Sequence, residues 1–205
     1  MSSEEMLSLA LFVLTLLWLA PLALYDLRHR AVPHIAFVAV PCVLAMGYAV
    51  WRGEWPLALI ALIVVGVSER HQLPKAWRGP VFIAGLLAGL GLIPFASPET
   101  LPGALAVLGF WLSFELGWWA GADALAAITL ALLWPDVLLL IALAVAHLGL
   151  SLARRRPIRP STVLRAGLPR MLTPSELSAL GEPGLPALAL AVMVYAALAG
   201  IGVQV

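Results

Sequence analysis

Long uncharged apolar runs dominate the chain and alternate with short polar clusters. Crossing the hydrocarbon layer, about 30 Å thick, takes roughly 20 apolar residues in a helix, so these runs predict membrane-spanning helices. The pattern predicts about eight spans, within a range of about six to eight. They cover residues 6–25, 31–51, 55–67, 79–95, 101–119, 118–134, 136–153 and 184–203. The predicted fold class is therefore all-α: a polytopic transmembrane helix bundle that forms a single integral membrane domain over residues 1–205.

Composition supports this class, because 62% of the residues are hydrophobic, 11% are charged and the mean hydropathy is +1.01. A soluble core could not bury so much apolar surface. The single cysteine, Cys42, lies in an apolar run and excludes both a disulfide and a cysteine-ligated zinc site within one chain. A net charge of +1 gives no reason to expect nucleic acid as a partner. The expected surroundings are a lipid bilayer.

Basic residues cluster in three of the loops between the predicted spans. The clusters are Arg28 and Arg30; Arg70, Lys75 and Arg78; and Arg154, Arg155, Arg156, Arg159, Arg165 and Arg170. With eight spans all three clusters fall on one side, and the loops at Glu54, Glu99 and Asp136 fall on the other. Because cytoplasmic loops retain positive charge, this predicts a multi-pass protein of the inner (plasma) membrane with both termini outward. The basic loop at about residues 154–183 would then face the cytoplasm and anionic headgroups.

The chain contains three aspartates, and two of them, Asp26 and Asp123, stand at the predicted cytoplasmic ends of apolar spans. An ionisable group at membrane depth costs a few kcal/mol or more, so it indicates a partner, a water-filled cavity or a function. Two explanations without function remain open. Asp26 could be a solvated helix end beside Arg28 and Arg30, and Asp123 a carboxylate favoured by the dipole of a helix start.

The two acids are predicted at similar depth on one side, which suits chemistry that neither could perform alone. Two neighbouring carboxyl groups can share a proton, so that one acts as general base on water and the other as general acid toward a carbonyl oxygen. This is the chemistry of aspartic proteases. Gly121 and Ala122 precede Asp123 and carry no bulky side chain, which would let a substrate backbone approach the acid.

Two motifs give the chain a resemblance to a known family. The segment from Asp26 through a basic stretch to Pro33 resembles the family's first motif, with His34 in place of asparagine. The segment 120–123, Ala-Gly-Ala-Asp, resembles the second motif, GxGD, and Leu125 stands where a lysine is often found. On these residues the chain resembles the type IV prepilin peptidases and preflagellin peptidases, which belong with presenilin among the GxGD membrane aspartic proteases.

The resemblance implies an activity, a substrate and a site. It implies an aspartic endopeptidase that cuts the short basic leader from pilin-like precursors at the cytoplasmic membrane face. Asp26 and Asp123 would be the catalytic acids, and Gly121, Ala122 and Pro33 would position the scissile peptide. Neither a metal ion nor an organic cofactor is required, and the oligomeric state stays open.

Two alternatives come from other functional classes. A catalytically inactive relative that binds pilin-like helices or serves as a secretion-system scaffold is compatible with Leu125 and His34. A small proton-coupled transporter would use Asp26, Glu115 and His147 as a proton path.

Other polar residues have simpler interpretations. Glu115 would hydrogen-bond a neighbouring helix, His147 would be a satisfied packing residue, and Asp136 would cap a helix. Glu69 and His71 are expected in solvent.

Overall fold

A computed structural model of the chain describes residues 3–29, 38–116, 119, 121–153 and 184–200. Within these ranges the regular structure is helical and contains no strand, which confirms the all-α prediction. The helices are α1 (Ser3–His29), α2 (Val40–Trp51), α3 (Trp55–Ser68), α4 (Lys75–Leu92), α5 (Leu101–Glu115), α6 (Gly121–Leu133), α7 (Val137–Ala153) and α8 (Leu185–Gly200). Short 3-10 segments follow α3, at Glu69–Gln72, and α4, at Ile93–Phe95.

Two helical segments in the described ranges are long and apolar enough to cross a membrane: Leu9–Asp26 and Lys75–Phe95. The shorter apolar helices are Val40–Trp51, Leu101–Glu115, Gly121–Leu133 and Leu185–Ala197. Length and composition thus suggest membrane association only weakly, and the count of about eight spans stays a prediction.

Each predicted span contains one helix, but the ends differ for physical reasons. α1 continues beyond Tyr25 to His29, and α4 begins at Lys75 rather than at residue 79. Arginine and lysine are good helix formers, so a helix can extend through Arg28 and Lys75, whereas hydropathy marks only its apolar part. α5 ends earlier than predicted, at Glu115, where the Leu116 backbone N–H closes the last turn on the Leu112 carbonyl at 2.8 Å.

Contacts between α-carbons divide the chain into two compact units. Unit 1 comprises Met1–Pro33 and Leu138–Val205, and unit 2 comprises His34–Val137. The prediction of one domain over residues 1–205 stays a prediction. In unit 1, α1 packs along α8. The α8 face that is buried includes Leu185, Leu188 and Val192, at the three- and four-residue spacing of one helix face.

Helix α6 forms the centre of unit 2 and contacts α2, α3 and α5. Every residue of α6 from Asp123 to Leu132 is buried. The helix is rich in alanine and leucine, and its small side chains let neighbouring helices approach closely. α4 packs against α3, and its buried residues are Gly85 and Gly89.

The helices of unit 2 alternate in direction, which gives the unit two distinct ends. At the first, called the Arg52 end, the Arg52 guanidinium reaches the Leu132 and Leu133 carbonyls at the close of α6. At the other, called the Asp123 end, α6 begins and α5 ends. The loops at Glu54, Glu99 and Asp136 fall at the Arg52 end, and the loop with Arg70, Lys75 and Arg78 falls at the Asp123 end.

Candidate functional site

Asp26 continues the buried face of α1. The buried positions Thr15, Leu19, Leu22, Ala23 and Asp26 recur at three- and four-residue spacing along the helix. The neighbouring residue Tyr25 is 41% exposed, whereas Asp26 is 7% exposed. Asp26 is therefore not a solvated helix end, although two arginines follow it in sequence.

Asp123 lies in the first turn of α6 and is 6% exposed. Partial positive charge on the unpaired N–H groups of a helix start favours a carboxylate there. Asp123 lies near the positive end of the α6 dipole. It is also buried, because α6 is the central helix of unit 2. Burial at the start of a helix distinguishes it from the exposed acids that usually occupy first turns.

Gly121 and Ala122 form the start of α6 and are half-buried. A β-carbon built on Gly121 would lie 3.3 Å from Cε2 of the Phe114 ring. The end of α5 therefore packs closely on the start of α6, and one side of Gly121 is filled by a neighbouring ring. Pro33 and Ala120, also predicted as part of the site or its motif, lie outside the described residues.

The two predicted catalytic acids belong to different compact units, Asp26 to unit 1 and Asp123 to unit 2. Asp26 is buried at the end of the apolar stretch of α1, and Asp123 is buried in the apolar helix α6. Their assignment as a catalytic pair stays a prediction.

The Asp123 end contains a buried ionic network, here called the Arg70–Glu115 network, which consists of Arg70, Glu115, Trp111 and Phe82. The Arg70 guanidinium forms a two-pronged ion pair with Glu115: Nη1 donates to Oε1 at 2.6 Å, and Nη2 donates to Oε2. Trp111 Nε1 donates to the same Oε1 at 2.9 Å, and the Phe82 ring centroid lies 5.1 Å from Arg70 Cζ. The side chains of Arg70 and Glu115 are 7% and 11% exposed.

The sequence pattern groups Arg70 with the basic loop residues and does not predict that it is buried. Glu115 does hydrogen-bond another element, as expected: its partner is Arg70, in the 3-10 segment that follows α3. The interrupted apolar run around Glu115 was the available signal, because an acid in such a run needs a partner. Its partner lies far away in the sequence, so the pairing depends on tertiary structure.

The remaining residues named from the sequence differ in their surroundings. Glu69 and His71 are exposed, as predicted, and Cys42 is buried with a free thiol, which agrees with a packing role. Asp136 directly precedes α7. His147 belongs to α7, but its side chain lies outside the described residues, as does the basic loop at 154–183.

Among the described residues, no three His, Cys, Asp or Glu side chains form a group that could hold a metal ion. No family model, curated protein or solved structure matches the chain.

Proposed function

We propose that this protein is a membrane aspartic endopeptidase that removes the leader peptide from pilin-like precursors at the cytoplasmic face of the inner membrane. The observation that carries the proposal is the burial of both motif acids: Asp26, at 7% exposure, ends the apolar stretch of α1, and Asp123, at 6%, lies in the apolar helix α6. Buried carboxyl groups are rare in proteins and cluster at functional sites, since burial is costly without a compensating role.

A polytopic membrane location is part of the proposal. Large apolar side chains are exposed on several helices, including Leu17 of α1, Leu44 of α2 and Leu87 of α4, each more than half exposed. Monomeric soluble proteins rarely expose so many large apolar groups along whole helix faces. Lipid tails around these faces would account for them and for the short polar loops between the helices.

The proposed chemistry needs only the two carboxyl groups and water. The ionised acid takes a proton from water as the water oxygen bonds to the scissile carbonyl carbon, and the protonated acid donates its proton to the carbonyl oxygen. Collapse of the tetrahedral intermediate breaks the carbon–nitrogen bond, and the leaving nitrogen takes up a proton. No metal ion or organic cofactor takes part in this scheme.

The substrate follows from the resemblance and from the proposed orientation. A pilin-like precursor has a short basic leader in the cytoplasm and a mature apolar helix in the membrane, so its cleavage site lies at the membrane face. Gly121, Ala122 and Pro33 are proposed to hold the chain on either side of the scissile bond. Their small or fixed backbones suit the close approach of an extended peptide.

Replacing each aspartate in turn tests the proposal. With a prepilin co-expressed, Asp26→Asn and Asp123→Asn should each lower leader removal by about 100-fold or more, because each removes a general acid or base. Asp136→Asn is the matched control, since the third aspartate precedes α7 at the Arg52 end, and it should retain cleavage. The membrane content of each variant is measured by immunoblot. Retained cleavage in either Asp26→Asn or Asp123→Asn would refute the assignment.

One observation favours a second candidate, a catalytically inactive relative that binds pilin-like helices. Leu125 stands two residues after Asp123, where the family often has lysine, and it is only 7% exposed. A protein of this class would bind a prepilin and leave it uncut. Co-purification of an uncleaved prepilin with the wild-type protein, together with no cleavage at any ratio of enzyme to substrate, would favour this candidate.

The transporter alternative is less well supported by the contacts of Glu115. Its carboxylate accepts hydrogen bonds from Arg70 and Trp111, so proton transfer through it would require breaking a buried ion pair. The deciding measurement is proton-coupled transport in proteoliposomes, which this alternative requires to disappear in Glu115→Gln and His147→Ala.

A further inference from the structure

The Arg70–Glu115 network is expensive to bury and is absent from the proposed chemistry. Moving an arginine and a glutamate out of water costs several kcal/mol for each ion, and the attraction between them often does no more than offset that cost. A buried ion pair is therefore weak evidence for stability. Its better supported use is to fix one arrangement among several that a purely apolar interface would permit.

Three hydrogen bonds tie Arg70 to the end of α3 and to the end of α5. Arg70 Nη1 also donates to the Val67 carbonyl at 3.2 Å, which holds the guanidinium to the last turn of α3. Glu115 is the last residue of α5, and Trp111, one turn earlier, bonds the same carboxylate. Packing of the Phe82 ring against Arg70 adds α4 to this junction. Three helices are thus joined at one carboxylate and one guanidinium.

The end of α5 is in turn joined to the start of α6. Phe114, adjacent to Glu115, fills the space beside Gly121, where a β-carbon would come within 3.3 Å of its ring. Trp119, in the connection, stacks on Phe110 of α5 with ring centroids 5.2 Å apart, and its backbone N–H donates to the Ser113 carbonyl at 3.4 Å. The turn that carries Asp123 therefore rests on the last two turns of α5.

We infer that Arg70 is a positioning residue for Asp123: by holding Glu115, it fixes the end of α5 on which the first turn of α6 rests. The catalytic part of this inference, that Arg70 positions an acid for cleavage, rests on the proposed function. The structural part, that Arg70 controls how firmly the Asp123 turn is held, does not depend on any activity. Removing one partner of the pair leaves a buried charge without compensation, so the junction should open locally.

A thiol at position 123 reports this opening directly. In a Cys42→Ser background, the Asp123→Cys variant is treated in membranes with a small membrane-permeant maleimide, and the labelling rate is followed by mass shift. Because labelling of a buried thiol proceeds through local opening, the rate follows the population of the open form. Adding Arg70→Gln should raise the rate by about tenfold or more. Glu115→Gln should raise it similarly, and combining both should add little, since the two residues act as one unit.

A matched control lies at the opposite end of the same helix. Arg52 also forms a half-buried ion pair, with Glu54 at 2.7 Å, and bonds carbonyls of α6, but at its last turn. Arg52→Gln should change the labelling rate at position 123 by less than about twofold, because opening at one end of a helix is local. An equal rise in Arg52→Gln, or an unchanged rate in Arg70→Gln, would overturn the inference.

A conservative variant keeps the test decisive if Arg70→Gln fails to accumulate. Arg70→Lys preserves the charge but loses the planar fork that pairs with both oxygens of Glu115. It should raise the labelling rate by about threefold, between wild type and Arg70→Gln. If Arg70→Lys is labelled at the same rate as the parent variant, the two-pronged pairing of Arg70 with Glu115 does not hold the Asp123 turn in place.

Cleavage assays separate the positioning role from the function itself. With Asp123 intact, Arg70→Lys should lower kcat by about tenfold and change KM little, since a misplaced acid slows chemistry more than binding. A rise in KM with kcat unchanged would contradict the positioning role. If the wild-type protein cleaves no prepilin, the proposed function fails, and the labelling rates still decide whether Arg70 holds the Asp123 turn.

Discussion

Arg52 and Arg70 lie at opposite ends of unit 2 and satisfy different acceptors. Arg70 neutralises a buried carboxylate, whereas Arg52 donates to the Leu132 carbonyl at 2.7 Å and the Leu133 carbonyl at 3.1 Å. The last carbonyls of a helix have no partner within the helix and carry partial negative charge, so a cation there is favourable. Arg52, the one lysine or arginine outside the three basic clusters, thus caps the central helix.

Glu54 is the acid that accompanies Arg52, and its environment predicts a pH dependence. Burial raises the pKa of Glu54 above its usual value, the charge and hydrogen bond of Arg52 lower it, and the charge of Glu99 raises it, with a net rise. The folded protein therefore binds this proton more tightly than the unfolded chain. The resulting stabilisation is present below the ordinary glutamate pKa of about 4.3 and is lost as pH rises through the raised pKa.

The Glu54→Gln variant should not lose this stabilisation as the pH rises. We expect the thermal stability of the wild-type protein in detergent to fall relative to Glu54→Gln as pH increases from about 4 upward through the raised pKa. Glu69→Gln, which removes an exposed carboxylate at the other end of unit 2, should leave the wild-type slope intact. Parallel stability curves for the wild type and Glu54→Gln would contradict the assignment of this pH dependence to Glu54.

Close contact between α5 and α6 depends on a glycine near the Arg52 end. A β-carbon on Gly103 would lie 2.8 Å from the Pro135 α-carbon and 3.1 Å from the Ala131 carbonyl oxygen. Both are backbone atoms, which cannot move aside as the end of a flexible side chain can. Glycine at this position thus sets the distance between the two helices with the most extensive mutual contact in unit 2.

Alanine at Gly103 should destabilise the protein, whereas alanine at Gly109 in the same helix should not. Nothing lies within 4 Å of a β-carbon at Gly109. We expect Gly103→Ala to cost about 1–3 kcal/mol through overpacking, and Gly109→Ala to be neutral or stabilising by up to about 1 kcal/mol. The measurement is the fraction of folded protein that survives a temperature series in detergent. Equal midpoints for the two variants would contradict the close packing at Gly103.

At the scale of helices, apolar runs were sufficient to predict where helices occur but not where they end. Hydropathy measures the free energy of transferring side chains out of water, so it marks only the apolar part of a helix. Helices α1 and α4 extend further, through charged residues. Glu115, the last residue of α5, pairs with Arg70 across a long stretch of chain. A contact of this kind depends on tertiary packing, so a local pattern could not reveal it.

For the molecule as a whole, the scarcity of acids in an apolar chain was enough to select Asp26 and Asp123 as candidates. Both are buried in the structure, as an acid with a function at membrane depth would be. The sequence could not reveal that Arg70 is buried beside Glu115, because its neighbours Glu69, His71 and Lys75 suggest a solvated loop. Arg70 belongs to the 3-10 turn Glu69–Gln72 after α3 and is the buried residue of that turn.

In the proposed arrangement a bilayer surrounds the apolar helices, with the Asp123 end of unit 2 toward the cytoplasm and the Arg52 end outward. The most direct test is the sidedness of two exposed positions, one at each end: His71→Cys and Glu99→Cys, each in a Cys42→Ser background. We expect a membrane-impermeant maleimide to label His71→Cys only in inside-out vesicles and Glu99→Cys only in right-side-out vesicles, with both proteins retained in carbonate-washed membranes. Labelling of both positions from one side, or release of the protein into the soluble fraction, would contradict it.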